Sequence, residues 1–153
     1  WDQAGCLSPQ VAWVRGDPVD VARRLAERLR HIEAQWPMAL PKEALAQRTS
    51  ARTYAQMVGQ AVETDTALLG ALPTSDFRPS PGYRALWLLP ASYEGLGSVM
   101  GHLSTVAVTG VPSLALPEGV RTCAPGEMQR PPLTWRQDGY ENLAPMLRPV
   151  GAR

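Results

Sequence analysis

An α/β fold with a largely parallel sheet and flanking helices is what this chain predicts, on three observations. Short apolar runs at Val11 to Arg15, Tyr83 to Leu89 and Leu103 to Thr109 have the β-branched and aromatic content of buried strands. Segments with helical apolar spacing or helix-start signals lie between them. At 153 residues the chain is long enough to bury roughly two-thirds of its unfolded surface around one core. Strands alternating with helices favour parallel pairing, with the chemistry carried by loops at the strand ends.

Each element has its own signal. The Val11 to Arg15 strand carries two valines and a tryptophan and is ended by Gly16-Asp17-Pro18. Asp17 is placed to cap the next helix with Pro18 at its first position, and Val21, Leu25, Leu29, Ile32 and Trp36 then recur as its apolar face. Arg23, Arg24, Glu27, Arg28 and Arg30 form the opposite, solvated face, and His31 near the helix end suits the dipole rather than catalysis. Pro37 and Pro41 break this helix. A second runs from Pro41-Lys42-Glu43 to about Gln60, with Ala44, Leu45, Ala51, Ala55 and Val58 as its apolar side. Pro73 to Gly82, with three prolines, reads as a surface loop before the Tyr83 to Leu89 strand. Gly95 to Gly101 is a loose helix, and the Leu103 to Thr109 strand is closed by Gly110-Val111-Pro112. From about 112 to 153 the chain is Pro-rich and irregular, with short extended pieces near Val120 to Ala124 and Leu133 to Arg136.

Composition excludes several function classes. A net charge of +1 without a basic run gives no electrostatic footprint for nucleic acid or an anionic membrane. No stretch of about 18 apolar residues exists to span a bilayer. The two cysteines, Cys6 and Cys123, lie far apart without CxxC or Cys/His clustering, so neither a disulfide framework nor a metal site is expected, and a reducing cytoplasm is the expected compartment. A start at Trp1, a few residues before the best chemical motif, reads as part of a longer protein.

That motif is Cys6 in Trp1-Asp2-Gln3-Ala4-Gly5-Cys6-Leu7-Ser8-Pro9-Gln10. Small and polar neighbours are those expected around an accessible thiol. Gly5 allows close approach, and Ser8-Pro9 can begin a turn whose backbone N–H groups favour thiolate and could hold an oxyanion. Chemistry alone still favours the bland alternative, because a lone cysteine is more often an inert small core residue. The other candidates are weaker. Gly95-Leu96-Gly97-Ser98-Val99-Met100-Gly101 could be taken for a phosphate loop, but Pro90 to Glu94 separate it from its strand and no acidic residue is placed to hold a ribose. His102 could reach a strand end but is more commonly a helix cap; Cys123 has only Arg121 to activate it and reads as structural; Asp138 reads as a turn former.

The run Asp2 to Gln10 resembles the nucleophile segment of the LuxC-like acyl-CoA reductases, the fatty-acid reductase branch of the aldehyde dehydrogenase superfamily. Gly119-Val120-Arg121, Gly126-Glu127-Met128, Pro131-Pro132 and Trp135-Arg136-Gln137-Asp138-Gly139 are similar, in order and spacing, to that family's carboxy-terminal signature. Leu103 to Gly110 is similar to the strand before it. The resemblance implies a portion of an aldehyde dehydrogenase-like catalytic domain, with residues 1–153 as a single fragment and the NADP-binding domain and general-base glutamate lying before Trp1. It implies that Cys6 attacks an acyl thioester, on acyl-CoA or an acyl-protein, and that hydride from NADPH reduces the acyl-enzyme to an aldehyde. It implies acyl-activating and acyl-transferring partner proteins. The isolated fragment would lack full turnover, and the face left by the missing domain would favour a homo-oligomer. Two positions depart from the family pattern: Gln137 stands where histidine is common, and His102 where an aromatic residue is usual. Two other readings remain open, a non-catalytic interaction module and a thiol acyltransferase that needs no nicotinamide.

Overall fold

The computed structural model describes residues 3, 8–37, 39–99, 103, 105–110, 116, 120–132 and 135. The chain divides into two compact units, residues 1–98 and 99–153. The first contains β1 (Val11–Val14), α1 (Pro18–Gln35), α2 (Lys42–Val58), β2 (Gln60–Glu63), β3 (Leu68–Ala71), β4 (Ala85–Pro90) and the short α3 (Tyr93–Gly97). The second contains β5 (Thr105–Ala107) and β6 (Arg121–Cys123).

Helix α1 starts as its sequence dictates. Asp17 stands in extended backbone, its Oδ1 accepts from the Val19 N–H at 2.9 Å, and Pro18 follows in the first turn, an arrangement worth about 1 kcal/mol. Its buried face differs from expectation. Ala22 and Ala26 are fully buried, Val21, Leu25 and Leu29 are half-buried, and Ile32 and Trp36 are 38% and 58% exposed. Alanine brings the helix backbone close to the sheet, and the larger side chains then flank the contact line. Helix α2 behaves alike: Ala44, Ala51 and Ala55 are buried, while Leu45 and Val58 stay exposed.

The four-stranded sheet has the order β1-β4-β3-β2. Strands β1 and β3 both pair parallel with β4, whereas β2 pairs antiparallel with β3, so the sheet is mixed. The expectation of a largely parallel sheet holds for its first three strands and is corrected at the β2 edge. The β2–β3 hairpin was not foreseen, because Gln60–Glu63 is a short half-polar edge and Leu68–Ala71, buried at all four positions, has no alternation. Its turn is closed by the Thr64 N–H donating to the Ala67 carbonyl at 3.0 Å and the Ala67 N–H donating to Thr64 Oγ1 at 2.8 Å.

Strand periodicity sorts side chains into two cores. Ala85, Trp87 and Leu89 of β4, with Leu68, Leu72, Val11 and Trp13, pack with Ala51 and Ala55 of α2. Leu86 and Leu88, with Leu69, Ala71, Ala12 and Val14, pack with Ala22 and Ala26 of α1. The helices thus cover opposite faces, giving three layers. Gly70 faces Trp87 in register, and a Cβ there would lie 2.2 Å from the indole Cζ3 and 3.3 Å from the Ala55 Cβ. The rigid indole occupies the space that glycine leaves.

Strands β3 and β4 are parallel yet joined without a helix. The loop between them covers the α2 side of the sheet instead. Trp13 Nε1 donates to the Ser75 carbonyl and Trp87 Nε1 to the Pro79 carbonyl, both at 3.0 Å. Phe77 stacks on Trp13 with ring centroids 6.3 Å apart, and the Arg78 guanidinium lies 3.8 Å above the Tyr54 ring. The Pro-rich loop expected here is therefore bound to the sheet along its length.

Both helices grip the β2–β3 turn. Glu33 of α1 accepts from Thr64 Oγ1 and Thr66 Oγ1 at 2.5 Å and from the Thr66 N–H at 3.0 Å. Arg48 of α2, 12% exposed, donates through Nη2 to the Thr64 and Ala67 carbonyls at 2.9 and 3.0 Å and to Glu63 Oε1 at 3.3 Å. Partial burial by itself would raise the Glu33 pKa, but the hydrogen bonds from Thr64, Thr66 and the Asp65 backbone outweigh it and hold the carboxyl below its ordinary value of 4.5.

In the second unit β5 and β6 pair parallel, with Ala107 opposite Cys123, and the Val108 N–H donates to the Cys123 carbonyl at 2.9 Å. Strand β6 realises the extended piece expected near Val120 to Ala124. Arg121 gathers the following turn, donating to the Glu127, Met128 and Arg130 carbonyls at 2.8, 2.7 and 3.3 Å. The extended piece expected at Leu133 to Arg136 lies outside the described residues except for Trp135.

Two outcomes follow from this packing. Gly70→Ala drives a methyl into the Trp87 ring and is expected to cost about 1–3 kcal/mol of stability, read by urea denaturation. Glu33→Ala is expected to cost about 1.5–3 kcal/mol at pH 7. Because the folded carboxyl titrates below its ordinary value, this contribution is fully present above that value and is lost as pH falls through the lower, folded one. The stability gap between wild type and Glu33→Ala should therefore narrow as pH falls from 7 towards 3.

Candidate functional site

The candidate nucleophile Cys6 lies outside the described residues, as do its neighbours at 4, 5 and 7. The frame on either side of them is described. Parallel pairing brings the N-terminal ends of β1, β4 and β3 to one edge of the sheet, where Val11 faces Trp87 and Ala85 faces Leu68. Three segments enter there: the Cys6 segment into β1, the Ser80–Arg84 turn into β4, and the Thr64–Ala67 turn into β3. Phosphate and nucleotide sites of open α/β sheets commonly sit at the opposite, carboxyl edge.

The turn before β4 is bonded to both flanks of the cysteine segment. Ser80 Oγ accepts from the Gly82 N–H at 3.1 Å and donates to the Ala85 carbonyl, while the Ala85 N–H donates to the Gly82 carbonyl at 3.0 Å. Gly82, Tyr83 and Arg84 are left-handed in succession, with φ of 77°, 50° and 63°. For Tyr83 and Arg84 that conformation costs about 1–2 kcal/mol each, and it is held by the Leu68 N–H donating to the Arg84 carbonyl at 3.0 Å. On one side, Gln10 Oε1 accepts from the Ser80 N–H at 3.0 Å. On the other, Gln3, itself left-handed at φ 57°, donates from Nε2 to both the Pro9 and Ala85 carbonyls at 2.7 Å. The left-handed non-glycine residues Gln3, Tyr83 and Arg84 thus gather at one edge of the sheet.

The remaining candidates distribute as follows. His102 and Asp138 lie outside the described residues. His31 is exposed on α1, its Nε2 3.0 Å from Gln35 Nε2. Cys123, half-buried on β6, belongs to the second unit. Gly95 and Gly97 fall in α3, and a Cβ on Gly95 would lie 2.1 Å from the Ser75 carbonyl oxygen, so this glycine serves close packing against the β3–β4 loop. The described residues form no cradle for a dinucleotide. A hollow of about 210 Å³ on α2 is lined by Leu45, Arg48, Thr49, Arg52 and Glu63. The Glu63 carboxylate lies between its two guanidiniums, 3.3 Å from Arg48 and 3.8 Å from Arg52. This polar ion-pair lining is unlike the apolar lining that a fatty acyl chain requires. Among the described residues no helix is long and apolar enough to cross a membrane.

Three residues whose side chains bond this edge, Gln3, Gln10 and Ser80, are not singled out by the sequence. The first two lie inside the cysteine motif, and Ser80-Pro81-Gly82 is a legible turn signal. Nothing in the sequence marks Tyr83 and Arg84, whose types rarely adopt left-handed backbone.

No curated protein matches the chain. A family model does: acyl-CoA reductase (LuxC), over residues 1–73. The matched stretch holds the Cys6 segment, β1, both long helices and the β2–β3 hairpin. Residues 1–73 of this chain, just under half of it, are therefore similar to the acyl-CoA reductase (LuxC) family.

Proposed function

We propose that this chain supplies the nucleophile of an NADPH-dependent acyl-CoA reductase, with Cys6 as the residue acylated. The observation that carries the reading is the family match over the segment in which Cys6 stands, framed by small and polar residues. In the proposed reaction the Cys6 thiolate attacks the carbonyl carbon of a fatty acyl thioester. The carbon–sulfur bond to coenzyme A then breaks, and the departing thiolate takes up a proton. The Cys6 backbone N–H is a candidate donor to the oxyanion of the tetrahedral intermediate.

In the family-like reaction a bound NADPH would be the source of the hydride that takes the acyl group to the aldehyde. The described residues do not fit a dinucleotide, since Gly95 is filled against Ser75 and no other glycine-rich strand-to-helix turn is present among them. In this reading the chain is part of an aldehyde dehydrogenase-like catalytic domain, with the dinucleotide and general-base contacts supplied from before Trp1. Acyl-CoA or an acyl-protein is the substrate, acyl-activating and acyl-transferring proteins are partners, and the assembly is a homo-oligomer in the cytoplasm.

The test is intact-mass spectrometry of the full-length protein after incubation with a long-chain acyl-CoA without reductant. Wild type is expected to gain one acyl group and Cys6→Ala none, with the adduct discharged as aldehyde when NADPH is added. An adduct released only as free acid or ester would replace the reductase with a thiol acyltransferase. Absence of any adduct on wild type would remove Cys6 from the chemistry and favour an interaction module.

A further inference from the structure

We infer that the hollow on α2 is a binding site for a phosphate monoester, gripped by Arg48 and Arg52. Leu45, Arg48, Thr49 and Arg52 recur at helical spacing along one face of α2, and Glu63 at the end of β2 completes the lining. Its volume of about 210 Å³ lies below the roughly 300–1,000 Å³ typical of sites for drug-sized ligands, and it suits a single polar group of a larger molecule. The site stands apart from the chemistry proposed for Cys6. Only the identification of coenzyme A as a source of the phosphate rests on that reading.

Two guanidiniums share one carboxylate in this hollow, so its lining carries a surplus positive charge. Neither ion pair is tight. Glu63 Oε1 lies 3.3 Å from Arg48 Nη2 and Oε2 lies 3.8 Å from Arg52 Nη1, against about 2.7–2.9 Å for a charge-assisted hydrogen bond. Arg48 is anchored through Nη2, which also donates to the Thr64 and Ala67 carbonyls, while its buried Nη1 has no acceptor among the described residues. A charged donor in that state calls for one. The Arg52 side chain is 43% exposed and makes no hydrogen bond among the described residues, so its fork of donors is available. Arg30 brings a third guanidinium to the same end of β2, donating to the Glu63 carbonyl at 2.9 Å. Of the other carboxylates at this turn, Glu33 is engaged by Thr64 and Thr66, and Asp65 is exposed, where its charge is screened. A carboxylate ligand is satisfied by one guanidinium fork, whereas the outward oxygens of a phosphate can be met from two guanidiniums at once. Coenzyme A carries such a phosphate on its ribose, remote from the thioester; free phosphate is the other source of the same chemistry.

The test is isothermal titration calorimetry of the full-length protein at low ionic strength, with inorganic phosphate in one arm and coenzyme A against dephospho-coenzyme A, which lacks the ribose phosphate, in the other. Wild type is compared with Arg52→Gln, which removes the available fork, and with Glu63→Gln, which keeps the shape of the side chain and removes the competing charge. Wild type is expected to bind one phosphate, Arg52→Gln to bind it about tenfold more weakly or worse, and Glu63→Gln to bind it about threefold more tightly or better. Changes of opposite sign distinguish a site from general loosening of the fold. Absence of phosphate binding to wild type would overturn the site. Binding that neither variant changes would mark an adventitious ion only and overturn it as well, and weaker binding by Glu63→Gln would overturn the account by surplus charge. A preference for coenzyme A over dephospho-coenzyme A that disappears in Arg52→Gln assigns coenzyme A as the source, whereas phosphate binding without that preference assigns the free ion. Failure of Cys6 to be acylated would sink the proposed reaction and leave the phosphate arm intact, so the two readings fail separately.

Discussion

Strand β4 must satisfy two neighbours and two faces at once, and the rest of the first unit is arranged around that demand. Its backbone pairs parallel with β1 and β3. Its side chains alternate between the α2 core, through Ala85, Trp87 and Leu89, and the α1 core, through Leu86 and Leu88. Fully burying leucines such as Leu88 and Leu89 contributes about 1.5–3 kcal/mol each. The bulkiest member, Trp87, fits only because its register partner is Gly70 and its neighbour on the helix is Ala55. A one-residue slip would exchange every side chain of the strand between the two cores, so packing against the two helices enforces the register.

Polar anchoring at the ends of the sheet follows from the same arrangement. The β2–β3 turn carries carbonyls and N–H groups that the sheet cannot pair, and it is held by Glu33 from one helix and Arg48 from the other. The β3–β4 crossover lacks the usual helix and is fastened by two indole N–H groups from β1 and β4. In both places buried donors and acceptors are satisfied by side chains reaching across from another element, which welds chain segments distant in sequence. The edge at the N-terminal ends of the parallel strands is thereby a bonded frame.

That frame gives the family match its physical content. The stretch matched to the acyl-CoA reductase (LuxC) family ends at residue 73, yet Gln3 and Gln10 within it bond to Ala85 and Ser80, which lie beyond it. These bonds run to a turn whose left-handed residues are fixed by the β3–β4 ladder, so the stability of the central sheet and the anchoring of Gln3 and Gln10 are one physical problem.

Local signals in the sequence were enough for α1, α2, β1, β4 and the loop after Leu72, because caps, prolines and periodicity act over a few residues. The Asp17 cap and the solvated arginine face of α1 are cases where neighbouring residues alone decide the outcome. Likewise, Cys6 was legible as a candidate from its small, polar neighbours and from the resemblance of the motif around it. The β2–β3 hairpin was not, since neither strand has a periodic pattern of its own and each exists through pairing. Nor was the burial of alanines rather than leucines on α1, which depends on how closely the helix approaches the sheet. The tie from Gln3 to Ala85 was equally hidden, because its acceptor is a carbonyl 82 residues away in the chain. By itself the sequence determined the helices α1 and α2, the strands β1 and β4, and the residue that is the reactive candidate. The tertiary structure alone decided the sheet order, the antiparallel edge and the ties at the base of the cysteine segment, since these arise from hydrogen bonds and packing between segments that no local pattern encodes.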